Sequence, residues 1–318
     1  MISKLRKKIF ISIAFGGLLY LVFTIYADYQ QVLNSFSKFN LFLLPLLLFL
    51  SFLNYSARFL KWDYYLSVVG IKIKKIDSFS IFMSGLVMSV TPGKLGELLK
   101  AYLVKEVNGD PVSKTAPIIF AERITDFLSL LCISIFGAIV YKYGGEISII
   151  VAIIFIVLIV VISNKKIALP ILGILERINF LNKYIHNIHT AYESSYKLLS
   201  IKPLLLMTIV SLVSWGFECI GYYLILRNFG IDFGLLWASF SYCFATVVGA
   251  ISMLPGGLGV TEGSLTYFLV EKNISTDIAV TTTFIVRVVT LWFAVLVGIF
   301  AVSFYQKRFG KISLENVQ

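Results

Sequence analysis

The chain has 318 residues, of which 58% are hydrophobic and only 14% charged, with 27 phenylalanines and a formal net charge of +11. That apolar content exceeds what the core of a soluble domain of this length needs, which excludes an ordinary water-soluble globule in favour of a bundle of membrane spans. The positive charge sits in short segments between apolar runs, so it points to membrane orientation and not to nucleic acid.

In chain order, Lys4, Arg6, Lys7 and Lys8 precede an apolar run at about 9–27. No small-residue cleavage site follows, so the run reads as a first span and not as a removable signal. Further spans are expected over about 41–62, 115–141, 147–163, 204–226 and 278–305, since a helix needs about 20 residues to cross the hydrocarbon core. Two regions are broken by Pro-Gly: about 78–91 with 94–105, and about 235–254 with 258–271. Each is expected to form a re-entrant helical hairpin whose bend is buried in protein or faces water, because lipid cannot satisfy bare backbone amides. The fold class is therefore an all-α polytopic membrane protein of about six full spans plus two re-entrant hairpins. It forms one integral membrane domain: a first span in 1–40, a repeat over 41–141, a connecting span and amphipathic segment over 142–203, a second repeat over 204–305 and a basic tail over 306–318.

The two broken regions are copies. Thr91-Pro92-Gly93-Lys94-Leu95-Gly96 returns as Leu254-Pro255-Gly256-Gly257-Leu258-Gly259. Upstream, Tyr64-Tyr65-Leu66 with Gly70-Ile71 matches Tyr222-Tyr223-Leu224 with Gly230-Ile231. Downstream, Glu97, Tyr102, Glu106 and Asn108 return as Glu262, Tyr267, Glu271 and Asn273, and Arg123 answers to Arg287. Placing the N-terminus in the cytoplasm puts 18 Lys/Arg inside and leaves Lys38, Lys142, Arg227 and Lys272 outside, the bias expected of a cytoplasmic membrane protein with both termini inside. The copies then enter the bilayer from opposite faces, an inverted-topology repeat of the kind that gives alternating access.

The segment 164–202 carries six Lys/Arg against two Glu, with Ile171, Leu175, Ile178, Ile185, Ile188, Tyr192, Tyr196 and Leu199 at helical spacing. It is expected to lie as an amphipathic helix on the anionic inner leaflet. His186 and His189 share a face but lack a third ligand, so a solvated face is preferred to a metal site. Cys132, Cys219 and Cys243 fall in apolar segments and read as buried small hydrophobes. No cofactor, metal or catalytic nucleophile is expected.

Charges inside the spans mark the site. Glu122, Arg123 and Asp126 lie about a turn apart, Arg287 falls in the last span and Glu218 in the fifth, while Arg58 is placed to snorkel at a span end. An ionised group at mid-bilayer costs about 2.5–3.5 kcal/mol on insertion scales, and matching placement in two copies points to a polar cavity. Thr91 and Pro92 suit a helix start. Gly93, Gly96, Gly256, Gly257 and Gly259, with Pro255, let the backbone turn and a ligand approach, although close helix packing explains single glycines equally well. Helix N-termini at both bends, with Arg123 and Arg287, suit a phosphate. Glu97, Glu262, Glu122 and Asp126 suit a cationic headgroup moiety or proton exchange.

Pro92–Glu97, Glu122–Asp126, Leu254–Glu262 and Arg287, in this order, resemble the motifs of the lysylphosphatidylglycerol synthase transmembrane-region family, also called flippase-like, over about residues 10–305. Its fused members carry a cytoplasmic aminoacyl-transferase domain and move the aminoacylated lipid outward. The sequence ends at Gln318 without that domain, so the resemblance implies a translocase of a phospholipid or polyprenyl-phosphate-linked lipid, and not a synthase. Lys94 stands where a small or neutral residue is expected, which leaves headgroup preference open. The expected partners are membrane lipids with phosphate-containing headgroups, and a homo-oligomer or a separate soluble lipid-modifying enzyme docked on 164–202. The other readings are such a docking role alone, or an intramembrane lipid-phosphate enzyme.

Overall fold

A computed structural model describes residues 29–91, 96–142, 145–176 and 184–310. The expected first span, the bend residues Pro92 and Gly93 and the end of the tail lie outside them. After a short helix α1 (Tyr29–Ser37), a 3-10 turn at Leu41–Leu43 is capped by Asn40, whose side chain accepts the Phe42 N–H. It leads into α2 (Leu44–Val68), with proline in the first turn, where a missing N–H costs nothing. The first hairpin is α3 (Lys75–Gly85), tightening into a 3-10 turn at Leu86–Met88, and α4 (Leu99–Asn108). Then come α5 (Val112–Tyr141), α6 (Gly145–Ser163), α7 (Lys165–Glu176) and α8 (Ile185–Leu198). The second copy comprises α9 (Ile201–Asn228), α10 (Gly234–Ile251), a 3-10 turn at Pro255–Gly257, α11 (Val260–Glu271), α12 (Thr276–Arg287), a π turn at Val288–Trp292 and α13 (Phe293–Phe309).

Five helical stretches among the described residues are long and apolar enough to cross a membrane: Leu41–Val68, Val112–Tyr141, Ile201–Asn228, Gly234–Ile251 and Thr276–Phe309. Four coincide with expected spans. The fifth, α10, was expected only as one arm of a hairpin. Its return arm α11 has 12 residues, about 18 Å at 1.5 Å per residue, well short of the bilayer core. The expected span at 147–163 is present as α6, whose Ile149, Ile150, Ile153, Ile154, Ile156, Val157 and Val160 are exposed. The chain is an all-α multi-pass membrane protein.

The duplication is visible in both local structure and packing. Gly70 and Gly230 both take φ 73°, and Ile71 N–H and Ile231 N–H reach back to the carbonyls of Leu66 and Leu226. This is the same glycine stop at the end of α2 and α9. Those two helices pack on each other. The first arm of each hairpin lies on the closing helix of the other copy, α3 on α13 and α10 on α5. Both crossings use a glycine: a Cβ on Gly298 would come within 2.2 Å of Val87 N, and one on Gly137 within 2.5 Å of the Phe240 side chain.

Two expectations need correction. In the segment 164–202, α8 does not present its apolar face to lipid alone: it packs on α5, burying Tyr192 and Leu198 against protein. Cys219 and Cys243 are buried with their sulfurs 3.6 Å apart, but Cys132 is exposed on the outer face of α5.

Candidate functional site

The described residues at each bend bond to one another. Thr91 Oγ1 donates to Met88 O at 2.7 Å and accepts the Gly96 N–H at 3.0 Å, so it bridges the first break. Gly96 is required there, because a Cβ would come within 2.7 Å of Thr91 Oγ1. At the second bend Gly256 turns the chain with φ 60°, a backbone region that a β-carbon disfavours. Gly257 N–H goes to Leu254 O, Leu258 N–H to Pro255 O, and Gly259 N–H to Glu262 Oε2 at 2.8 Å. Among the described residues, the amides of Gly96, Gly257, Leu258 and Gly259 are thus used by the fold itself.

The glutamates and arginines of the repeat are joined. Arg123 Nη2 donates to Glu97 Oε2 at 2.7 Å, and Arg287 Nε donates to Glu262 Oε1 at 2.7 Å. Arg287 Nη2 also holds Gly256 O at 2.5 Å, tying α12 to the second bend. Glu97 and Glu262, expected to contact a ligand, stand behind the arginines and brace them. Buried carboxylates and guanidiniums are tolerable in a dry interior only when paired in this way.

The first copy holds a larger network whose cations the sequence reading missed. Lys61 Nζ donates to Asp126 Oδ1 at 2.5 Å, Ser211 Oγ at 2.8 Å and Thr125 Oγ1 at 3.2 Å. Lys100 Nζ donates to Glu122 Oε2 at 2.5 Å and lies 4.8 Å from the Trp62 ring and 5.0 Å from that of Phe82, within cation–π range. Glu122 is fully buried in this network and does not reach the cavity described next. Asp126 Oδ2 faces Arg58 Nη2 and Arg123 Nη1, each at 3.7 Å, without a hydrogen bond. Arg58 does not snorkel. It is buried, and its Nε has no hydrogen-bond partner among the described residues.

These groups surround a cavity of about 380 Å³, within the range of small-molecule sites. Its polar side includes Arg58, Arg123, Asp126, Glu218, Tyr55, Tyr242 and Arg287, with Gly256 and Gly257 beside them. Its apolar side includes Phe127, Leu130, Phe155, Trp215, Ile251, Met253 and Leu254, with Phe127 and Phe155 stacked at 4.6 Å. Tyr242 OH donates to Glu218 Oε2 at 2.6 Å, and Tyr55 OH to the π-turn carbonyl of Thr290 at 2.6 Å. Of the expected site residues, Arg123, Asp126, Gly256, Gly257 and Arg287 line the cavity, while Thr91, Gly96, Glu97, Glu122, Pro255, Gly259 and Glu262 do not. Arg58 and Lys61 were legible as charges a turn apart in an apolar run, and Glu218 as a lone intramembrane acid.

A multi-pass helical protein with two interleaved broken-helix copies around an arginine-lined cavity defines the class. The family model described as the lysylphosphatidylglycerol synthase TM region matches residues 9–298, and the chain belongs to that family. It is similar to a UPF0104 membrane protein of Methanocaldococcus jannaschii, 27% identical over 68% of this chain and 92% of the relative. It is also similar to one of Methanothermobacter thermautotrophicus, 25% identical over 77% of this chain and 80% of the relative. A third, of Pyrococcus horikoshii, is 23% identical over 75% and 80%.

Proposed function

We propose that the protein moves a phosphate-bearing lipid, a phospholipid or a polyprenyl-phosphate-linked lipid, between the leaflets of the cytoplasmic membrane. The observation that carries this reading is that three guanidiniums, Arg58 and Arg123 from one copy and Arg287 from the other, outnumber the two carboxylates, Asp126 and Glu218, on the polar side of a cavity whose other side is aromatic and aliphatic. A guanidinium presents a planar fork of donors that matches phosphate oxygens. The loose 3.7 Å contacts of Arg58 and Arg123 with Asp126 leave donor capacity that a phosphate can use. An amphiphile fits such a cavity better than a free anion, because Phe127, Leu130, Phe155 and Trp215 would gain nothing from an ion alone. Glu97 and Glu262 keep their arginines aimed. The distribution of Lys and Arg supports cytoplasmic termini.

Reconstitution with labelled lipids tests the proposal. Transbilayer movement is expected above that of protein-free vesicles, and Arg58→Ala is expected to slow it. This variant leaves Asp126 paired with Lys61, so no buried carboxylate is stranded. Movement no faster than in empty vesicles for both lipid classes, or an Arg58→Ala rate equal to the parent, would sink it.

A further inference from the structure

The two bends descend from one motif, yet they differ in exposure. Val90 is 0% and Thr91 7% exposed, whereas their repeat counterparts Met253 and Leu254 are 59% and 39% exposed. Two positions before Val90 and Met253, Met88 is buried and Ile251 exposed. The exposed set is continuous with the site, because Ile251, Met253 and Leu254 all line the cavity. On the other side, Ser89 alone of 88–91 lines it, and Val90 is packed with Leu258, Leu291 and Val295. Met253 also holds φ 56°, a left-handed backbone that an L-residue keeps only where surrounding structure imposes it.

We propose that the second bend is an open mouth through which the lipid's acyl chain leaves the cavity, lying on Ile251, Met253 and Leu254, and that the matching segment 88–91 is the same mouth closed. Moving the lipid exchanges the two conformations, so that 88–91 opens as 251–254 packs shut. Related halves holding opposite conformations at one site supply the asymmetry this exchange needs. The reciprocal packing of α3 on α13 and α10 on α5 lets each hairpin move against the other copy's closing helix. The inference rests on the lipid reading of the cavity.

The test uses the full chain in vesicles containing a phospholipid with a photoactivatable group in its acyl chain, and separately a diacylglycerol with the same chain. Adducts are mapped by peptide mass spectrometry. The phospholipid is expected to label 251–254 several-fold more than the diacylglycerol and to leave Met88, Val90 and Thr91 unlabelled, while Ile153 and Val157 on the outer face of α6 are labelled equally by both. Val90→Trp, too large for the Leu258, Leu291 and Val295 packing, is expected to shift adducts from 251–254 to 88–91. Leu258→Trp provides the same perturbation from the facing side if Val90→Trp does not fold. Hydrogen exchange reads the conformational part without any lipid: both variants should speed exchange at 88–91 and slow it at 251–254. Equal labelling of 251–254 by both lipids refutes the mouth. Unchanged exchange in a folded variant refutes the exchange of conformations. An exchange shift without phosphate-dependent labelling at Trp215 or Phe127 would retain the two conformations and overturn the lipid reading instead.

Discussion

Lys100→Met tests the buried network most directly. Lys100 Nζ lies 2.5 Å from Glu122 Oε2, and the two side chains are 2% and 0% exposed. At an effective dielectric of about 20, that separation corresponds to roughly 6–7 kcal/mol of gross attraction. Desolvation of each ion costs several kcal/mol, so the intact pair contributes little net stability. Removing one partner is different. Glu122 would remain buried with Oε1 already lacking a hydrogen bond and no ammonium at Oε2, a loss of about 3–5 kcal/mol. At roughly 2–4 °C per kcal/mol for domains of a few hundred residues, Tm should fall by about 6–20 °C. Glu122→Met should cost a similar amount by stranding Lys100, whereas the double variant Lys100→Met/Glu122→Met should recover most of the loss. Thermal unfolding of the three proteins in one detergent, followed by size-exclusion chromatography, measures the coupling. A Lys100→Met protein as stable as the parent, or a double variant less stable than either single, would refute the ion-pair account.

Gly298→Ala should lower Tm clearly, because its Cβ would meet the Val87 backbone at 2.2 Å, whereas Gly216→Ala, with nothing within 4 Å, should be neutral or stabilising by up to about 1 kcal/mol; equal melting of the two would count against the α3–α13 contact. Tyr55→Phe removes the hydroxyl that satisfies Thr290 O at 2.6 Å and should cost about 1–3 kcal/mol, read as a Tm loss that Tyr64→Phe does not share. N-ethylmaleimide should modify one thiol, Cys132, in the folded protein and all three in denaturant, since Cys219 and Cys243 are buried; modification of Cys243 at the Cys132 rate would contradict the α9–α10 packing.

The pairing of Glu97 with Arg123 and of Glu262 with Arg287 was legible as correspondence between copies, and so were the stops at Gly70 and Gly230. Their use was not. Spacing shows that two charges recur together, but not whether they face a ligand or each other, because a side chain's partner is chosen in three dimensions. Arg58 looked terminal because the expected span ended at residue 62, and Lys61, three residues further on, was passed over. The helix continues to Val68, which carries both cations inward. Helical periodicity found an apolar face on α8, and periodicity is blind to whether lipid or protein covers it. Here α5 does.

The two copies also separate what a bend needs from what a site needs. Aligned through the repeat, Arg58, Lys61, Lys100, Glu122 and Asp126 of the first copy stand where the second has Gly216, Cys219, Leu265, Val286 and Thr290. Five charges are replaced by five neutral residues as a set, and that is what buried electrostatics demands: each ion kept without its partner would be costly, whereas all or none is tolerable. The second bend stands with only its Glu262–Arg287 pair, so the extra charges of the first copy are not needed to hold a broken helix together. Two of them, Arg58 and Asp126, reach the cavity wall, while Lys61 and Lys100 balance the carboxylates behind. The surplus is therefore best explained by what the cavity receives, and replacing all five residues together should leave a folded protein that has lost its ligand.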